Sequence, residues 1–154
     1  MRLTGIALAL ALALPACGGA SKPAATPTAD PAPAATLYER LGGKPAIEIV
    51  IDKFLANVVA DARINKFFAG LDGAAVAKLR GHLVDQVCSA TGGDCQYTGR
   101  SMKESHTGMN LTDDHFTAIV EDLIAALDDA GVKPADKDEL LGILGGLKGD
   151  IVGQ

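Results

Sequence analysis

Tryptophan is absent from these 154 residues, and only 4 phenylalanines and 2 tyrosines supply aromatic bulk. Aromatic side chains are the largest units from which a core is built. A domain this poor in them leaves room for a large flat cofactor. Histidine and cysteine are scarce too, at 3 residues each. His82, His106 and His115 do not stand with each other or with cysteine at zinc-ligand spacing. A phosphate-binding glycine loop and a hydrolase nucleophile elbow are both missing. Lys and Arg number 14 against 19 Asp and Glu, for a net charge of −5, and no basic cluster stands out. That balance excludes the electrostatic footprint of a nucleic-acid partner. No apolar run reaches the roughly 20 residues of a membrane-spanning helix.

The one apolar run, residues 6–14, follows a short basic start at Arg2 and ends in Leu14-Pro15-Ala16-Cys17. A charged start, a short apolar stretch and a small residue before the cut define a secretory signal over residues 1–16. Leu14-Pro15-Ala16-Cys17 resembles a bacterial lipoprotein box. The resemblance implies cleavage before Cys17 and acylation of that residue. Several acyl chains together anchor stably where one does not. Ordinary cleavage, leaving Cys17 a free thiol, is the alternative. Pro23, Pro27, Pro31 and Pro33 follow among Gly, Ser, Ala and Thr, so residues 17–36 read as an extended tether. The expected product is an exported protein, lipid-anchored on the periplasmic side or at the cell surface.

Residues 37–154 read as one all-α domain, since apolar positions recur at three and four residues and never convincingly at two. Ile47, Val50, Ile51, Phe54, Leu55, Val58 and Val59 mark one helix, starting near Pro45. Val76, Leu79, Leu83 and Val87 mark the next, with Arg80, Asp85 and Gln86 off the stripe and Gly92-Gly93 as the stop. Residues 94–100 read as a loop. Ser101 and Glu104 form a capping-box pattern that opens a short helix carrying His106. Thr112 caps a helix with Phe116, Ile119, Val120, Leu123, Ile124 and Leu127 on one face. Pro134 opens the last helix, whose stripe runs from Leu140 to Ile151. Its several glycines, each worth up to about 1 kcal/mol against helix, predict fraying. Cys88 and Cys95 flank Gly92-Gly93, which leaves both a disulfide and two separate thiols open.

The ordered segments Leu37-Tyr38-Glu39-Arg40-Leu41-Gly42-Gly43, Phe67-Phe68, Gly92-Gly93, Tyr97-Thr98-Gly99-Arg100-Ser101-Met102-Lys103, His106 and Leu111-Thr112-Asp113-Asp114-His115-Phe116 resemble those of the group 1 truncated haemoglobins. The resemblance spans nearly the whole domain. It implies a truncated globin fold, two antiparallel helix pairs stacked around haem b, with His106 as the proximal iron ligand in preference to His115. Phe68 then packs on the haem face, and Met102, Leu111, Phe116 and Ile119 form the proximal wall. Plain core packing is the competing reading for each.

The distal side departs from the oxygen-scavenging members of that family. Leu55, following Phe54, stands where they carry a tyrosine, and Leu79 and Leu83 stand where glutamines are usual. A bound dioxygen deprived of such donors loses a hydrogen bond worth about 1.5–3 kcal/mol. His82 falls beside Leu79 and Leu83 on the helix. Its position matches a histidine that ligates iron in some cyanobacterial relatives, so ligation, contact with a bound gas, and a rim position are all open. The implied function is reversible binding of dioxygen or other diatomic gases. Haem-based electron transfer or nitric oxide detoxification, served by a reductase, is the alternative. A cofactor-free helical interaction module on a lipid anchor is the second.

Overall fold

In the computed structural model, which describes residues 34–154, every regular element is helical. The signal segment, Cys17 and most of the tether lie outside the described residues. Thr36, read from sequence as the end of the tether, belongs to the fold. Its hydroxyl and the Glu39 carboxylate form a reciprocal capping box at α1 (Leu37–Arg40).

Helix α2 (Gly43–Ala60) starts two residues before Pro45. Ile47, Val50, Ile51, Phe54 and Val58 are buried along it, whereas Val59 is 62% exposed. Each residue turns the helix by about 100°, so the position after Val58 swings out of the stripe. A 3-10 turn (Asn65–Phe67) leads to Phe68.

Helix α3 (Gly73–Ala90) opens on Asp72, whose carboxylate accepts from the Ala75 amide at 2.8 Å. It closes on a double hydrogen bond: the Gly93 amide donates to Cys88 O at 2.9 Å and the Gly92 amide to Ser89 O at 3.3 Å. This closure needs a left-handed residue, and Gly92 supplies it with φ of 92°. Gly93 serves a second purpose. A Cβ there would lie 2.6 Å from Cys88 Sγ and 2.7 Å from the Tyr38 ring. Across that gap Cys88 and Cys95 are joined by a disulfide, with Cα atoms 5.7 Å apart.

Helix α4 (Met102–His106) carries the Ser101–Glu104 capping box expected from sequence. Thr112 caps α5 (Asp113–Asp129), and Pro134 stands at the first position of α6 (Pro134–Gly145). The expected stripe to Ile151 is interrupted: α6 ends at Gly145, and the chain continues as a 3-10 turn (Lys148–Asp150).

Helix α2 packs on both α3 and α5, and α5 packs on α6. The result is two helix pairs, α2 with α3 and α5 with α6. Ile64, Leu127, Leu140, Val58, Val84 and Cys88 are the largest fully buried side chains. Each large aliphatic among them contributes about 1.5–3 kcal/mol by leaving water. Arg40 ties α1 to α6 through Asp136 at 2.6 Å and through Glu139. The C-terminal residues return to the α4–α5 connection, where Gly153 N donates to Leu111 O and Asn110 N to Gln154 O, both at 2.9 Å. They brace the segment that follows His106.

Candidate functional site

One face of α3, repeating at three and four residues, lines a large cavity: Ala75, Lys78, Leu79, His82, Leu83 and Gln86. It lies beside the buried stripe of Val84, Val87 and Cys88 rather than on it. The expected stripe therefore divides in two. Val76 is 40% exposed and belongs to neither. Gln86, read from sequence as lying off the stripe, faces the cavity.

The cavity measures about 960 Å³, at the upper end of the range for cofactor sites. Phe54 and Phe68 reach it from beneath, together with Ile64, Phe67 and Leu71. Met102 and His106 on α4 border it, as do Leu111 before α5 and Phe116 and Ile119 on α5. Leu141 and Leu144 of α6 close one side. Leu55 does not line the cavity. Its neighbour Phe54 does, and on a helix the two point about 100° apart; Leu55 instead packs on the hydrophobic core.

His106 and His115 both border the cavity, and their hydrogen bonds distinguish them. His106 Nδ1 lies 2.6 Å from the Met102 carbonyl oxygen. A carbonyl only accepts, so Nδ1 carries the proton and Nε2 keeps its lone pair. That is the arrangement a metal-ligating imidazole needs, with orientation fixed from the back. His115 is engaged the other way. Its Nδ1 accepts from the Thr112 backbone amide at 3.2 Å, and its own amide donates to the Thr112 hydroxyl at 3.3 Å. In the neutral ring the proton then sits on Nε2, leaving no free lone pair. An edge-on contact with Phe67, centroids 4.9 Å apart, further fixes the ring.

His82 lies in the α3 wall, half-buried, and makes no hydrogen bond within the protein among the described residues. Its ring meets Tyr97 edge-on, with centroids 6.0 Å apart. The Tyr97 hydroxyl donates to Arg100 O at 2.7 Å, and burial pushes its phenol above the ordinary value. Gln86 Nε2 donates to the Met102 sulfur at 3.4 Å, linking α3 to the helix of His106.

Sequence reasoning missed Gln86 and Tyr97 as cavity residues. Their signals were a helical spacing of four from His82 and a tyrosine in a loop directly before the Ser101 cap. The apolar lining fits a macrocycle, and His106 Nε2 fits its iron. Two exposed cations that border the cavity, Lys78 and Arg100, fit carboxylates at its rim.

Helix pairs enclosing a cavity with a free imidazole nitrogen define a globin-type protein. The chain belongs to the bacterial-like globin family, whose model matches residues 36–152. It is 43% identical to the group 1 truncated haemoglobin of Synechocystis over 101 residues, covering 63% of this chain and 79% of that one. The group 1 truncated haemoglobin of Mycolicibacterium paratuberculosis is 36% identical, covering 76% of this chain and 84% of its own. Among solved structures, the truncated haemoglobin of Tetrahymena pyriformis in its Fe(III) form superposes with a TM-score of 0.73 at 34% identity, over 78% of this chain and 100% of that one. The fold is thus the truncated globin fold of two stacked helix pairs. The family implies a haem cofactor and the binding of diatomic gases.

Proposed function

We propose that this protein binds haem b through His106 and reversibly takes dioxygen or another diatomic gas, with His82 as the residue that competes for or contacts the gas. The observation that carries the reading is the His106 Nδ1 to Met102 O hydrogen bond of 2.6 Å, which leaves Nε2 free at the cavity. When bound, haem would supply an iron centre that takes an imidazole and a small ligand and has accessible ferric and ferrous states.

The remaining chemistry belongs to the side chains. The Met102 carbonyl orients the imidazole. Phe68, Leu79 and Leu83 line the cavity and would keep water from a bound macrocycle. Lys78 and Arg100 would hold its carboxylates. One N–H of the Gln86 amide is engaged with the Met102 sulfur.

A second reading, haem-based electron transfer or nitric oxide detoxification with a reductase, is favoured by one observation: the His82 imidazole is unbonded and borders the same cavity as His106. Were His82 to ligate together with His106, the pair would suit redox cycling, since His82 would have to leave before a gas enters. We further propose that residues 1–16 export the protein and that acylated Cys17 anchors it. Metabolic labelling with a fatty acid, lost in Cys17→Ser, tests the anchor.

Absorption spectra of ferric and ferrous protein test the main reading. Purified protein should be red with a Soret band, and His106→Ala should lose tight haem binding. His82→Ala should keep haem and convert a six-coordinate low-spin spectrum to a high-spin one. A colourless protein that refuses added haemin overturns the haem reading and leaves a cofactor-free interaction module.

A further inference from the structure

Residues 94–100 connect α3 to α4 and line the cavity with Tyr97, Thr98, Gly99 and Arg100. No backbone–backbone hydrogen bond holds this stretch among the described residues. Side chains hold it instead. At its root, Cys95 is bonded to Cys88, and Cys88 is fully buried in the core. At its far end, the capping box fixes Ser101. Between them Tyr97 folds back beneath its own loop. Its hydroxyl donates to Arg100 O at 2.7 Å, and Gly99 lies so close that a Cβ there would collide with the phenol oxygen. The ring that results stands edge-on to His82, at 71° between planes.

We propose that Tyr97 is a positioning residue for His82, and that the Cys88–Cys95 disulfide is the anchor that keeps it there. The geometry supplies a reason for each part. Among the described residues His82 has no hydrogen bond to fix its ring, so the Tyr97 contact is what orients it. The Tyr97 loop has no backbone ladder, so the disulfide roots it in the core. Gly93 and Gly99 leave the spaces into which the disulfide and the phenol fit. The chain of support runs from the core through Cys88, Cys95 and Tyr97 to the imidazole. This inference rests on the reading of His82 as the residue that competes for the sixth position.

The test compares holoprotein spectra of wild type, His82→Ala, Tyr97→Ala, Tyr97→Phe and the double variant Cys88→Ala with Cys95→Ser. An edge-to-face contact of ordinary strength corresponds to a shift of roughly two- to tenfold in the ratio of bound to open His82. Tyr97→Ala should therefore raise the high-spin fraction, and the rate of cyanide binding to ferric protein, by about that factor. Tyr97→Phe keeps the ring and should fall between Tyr97→Ala and wild type. The cysteine double variant should move the same way as Tyr97→Ala. A second readout needs no haem: in the apoprotein, the proton NMR resonances of the His82 ring should lose their Tyr97 ring-current shift in Tyr97→Ala and move in the cysteine variant.

The outcomes separate the two readings. If His82→Ala leaves the spectrum unchanged, the ligation reading fails and the proposal falls with it. If His82→Ala changes the spectrum but Tyr97→Ala does not, the positioning role alone is overturned. If Tyr97→Ala acts and the cysteine variant does not, the disulfide is not the anchor. Unchanged far-ultraviolet circular dichroism in each variant guards against general misfolding.

Discussion

One proton distinguishes His106 from His115, although both imidazoles border the same cavity. His106 gives its Nδ1 proton to Met102 O, while the Nδ1 of His115 receives one from the Thr112 amide. His115→Ala should therefore retain haem and lose its capping contact and its edge-on packing on Phe67, at a cost of about 1–2 kcal/mol measured by urea titration. Loss of haem in that variant would reverse the assignment. Asp122 offers a different residue-scale test. Its Oδ2 is buried without a partner, and burial, reinforced by nearby Asp61 against the pull of Arg63, holds its carboxyl above the ordinary value. A raised carboxyl makes the folded state bind more protons than the unfolded one, so stability falls as pH rises from the ordinary carboxylate range through the folded value. Asp122→Asn should match wild type at pH below that range and exceed it at pH 7, as read by thermal melts at both. His106 stood out in the sequence as the candidate ligand because the Ser101 cap and the ordered motifs frame it. The state of its ring nitrogens was not legible there, since a tautomer is set by which backbone group the fold brings to it. Asp122 was equally invisible: nothing in its neighbours announces that one oxygen points inward.

At the scale of elements, the boundaries were legible wherever a side chain or glycine closes a helix. Ser101, Thr112, Pro134 and Gly92 all serve as the sequence suggested. Faces were less legible. On α3 the apolar positions follow one helical period, but two surfaces need covering, the core and the cavity. Hydrophobicity does not say which surface a leucine serves, and it hides Gln86 altogether. Leu55 was assigned to the site by its resemblance to a family tyrosine position, and it packs on the core. Two glycines test the element-level account in opposite directions. Gly142 lies within α6, exposed, with nothing within 4 Å of an added Cβ. Gly142→Ala should stabilise the protein by about 0.5–1 kcal/mol through lower unfolded-chain entropy. Gly93→Ala should instead cost about 1–3 kcal/mol, because the new methyl meets Cys88 Sγ and the Tyr38 ring. Denaturation midpoints of the two variants, moving apart from wild type, check both; a stabilised Gly93→Ala would refute the packing described around the disulfide.

Across the whole molecule, burial is uneven in a way that bears on how cofactor binding and folding are coupled. Ile64 is both fully buried and part of the cavity lining, but the fully buried Val58, Val84, Cys88, Ala126, Leu127 and Leu140, of α2, α3, α5 and α6, do not line the cavity. Their packing does not depend on what fills the cavity. Met102, His106, Leu111 and Phe116 are different: each is only half-buried, and each faces the cavity. Helix α4 is five residues long, too short to be stable by its own hydrogen bonds. Its contacts within the protein include the C-terminal turn and, through Met102, Gln86 on α3, while Met102 and His106 also border the cavity. A ligand that binds only the folded state at a thousand times its Kd adds about 4.1 kcal/mol. That energy should fall where the ligand makes contact. Hydrogen exchange of the haem-free protein is therefore expected to show slow amides in α2 and in the core-facing half of α5. Fast amides are expected over residues 94–111. Adding haemin should slow exchange over 94–111 by one or more orders of magnitude and change α2 little. Uniform protection before and after haemin would mean that α4 is preformed and that His106 is held in place by the protein alone.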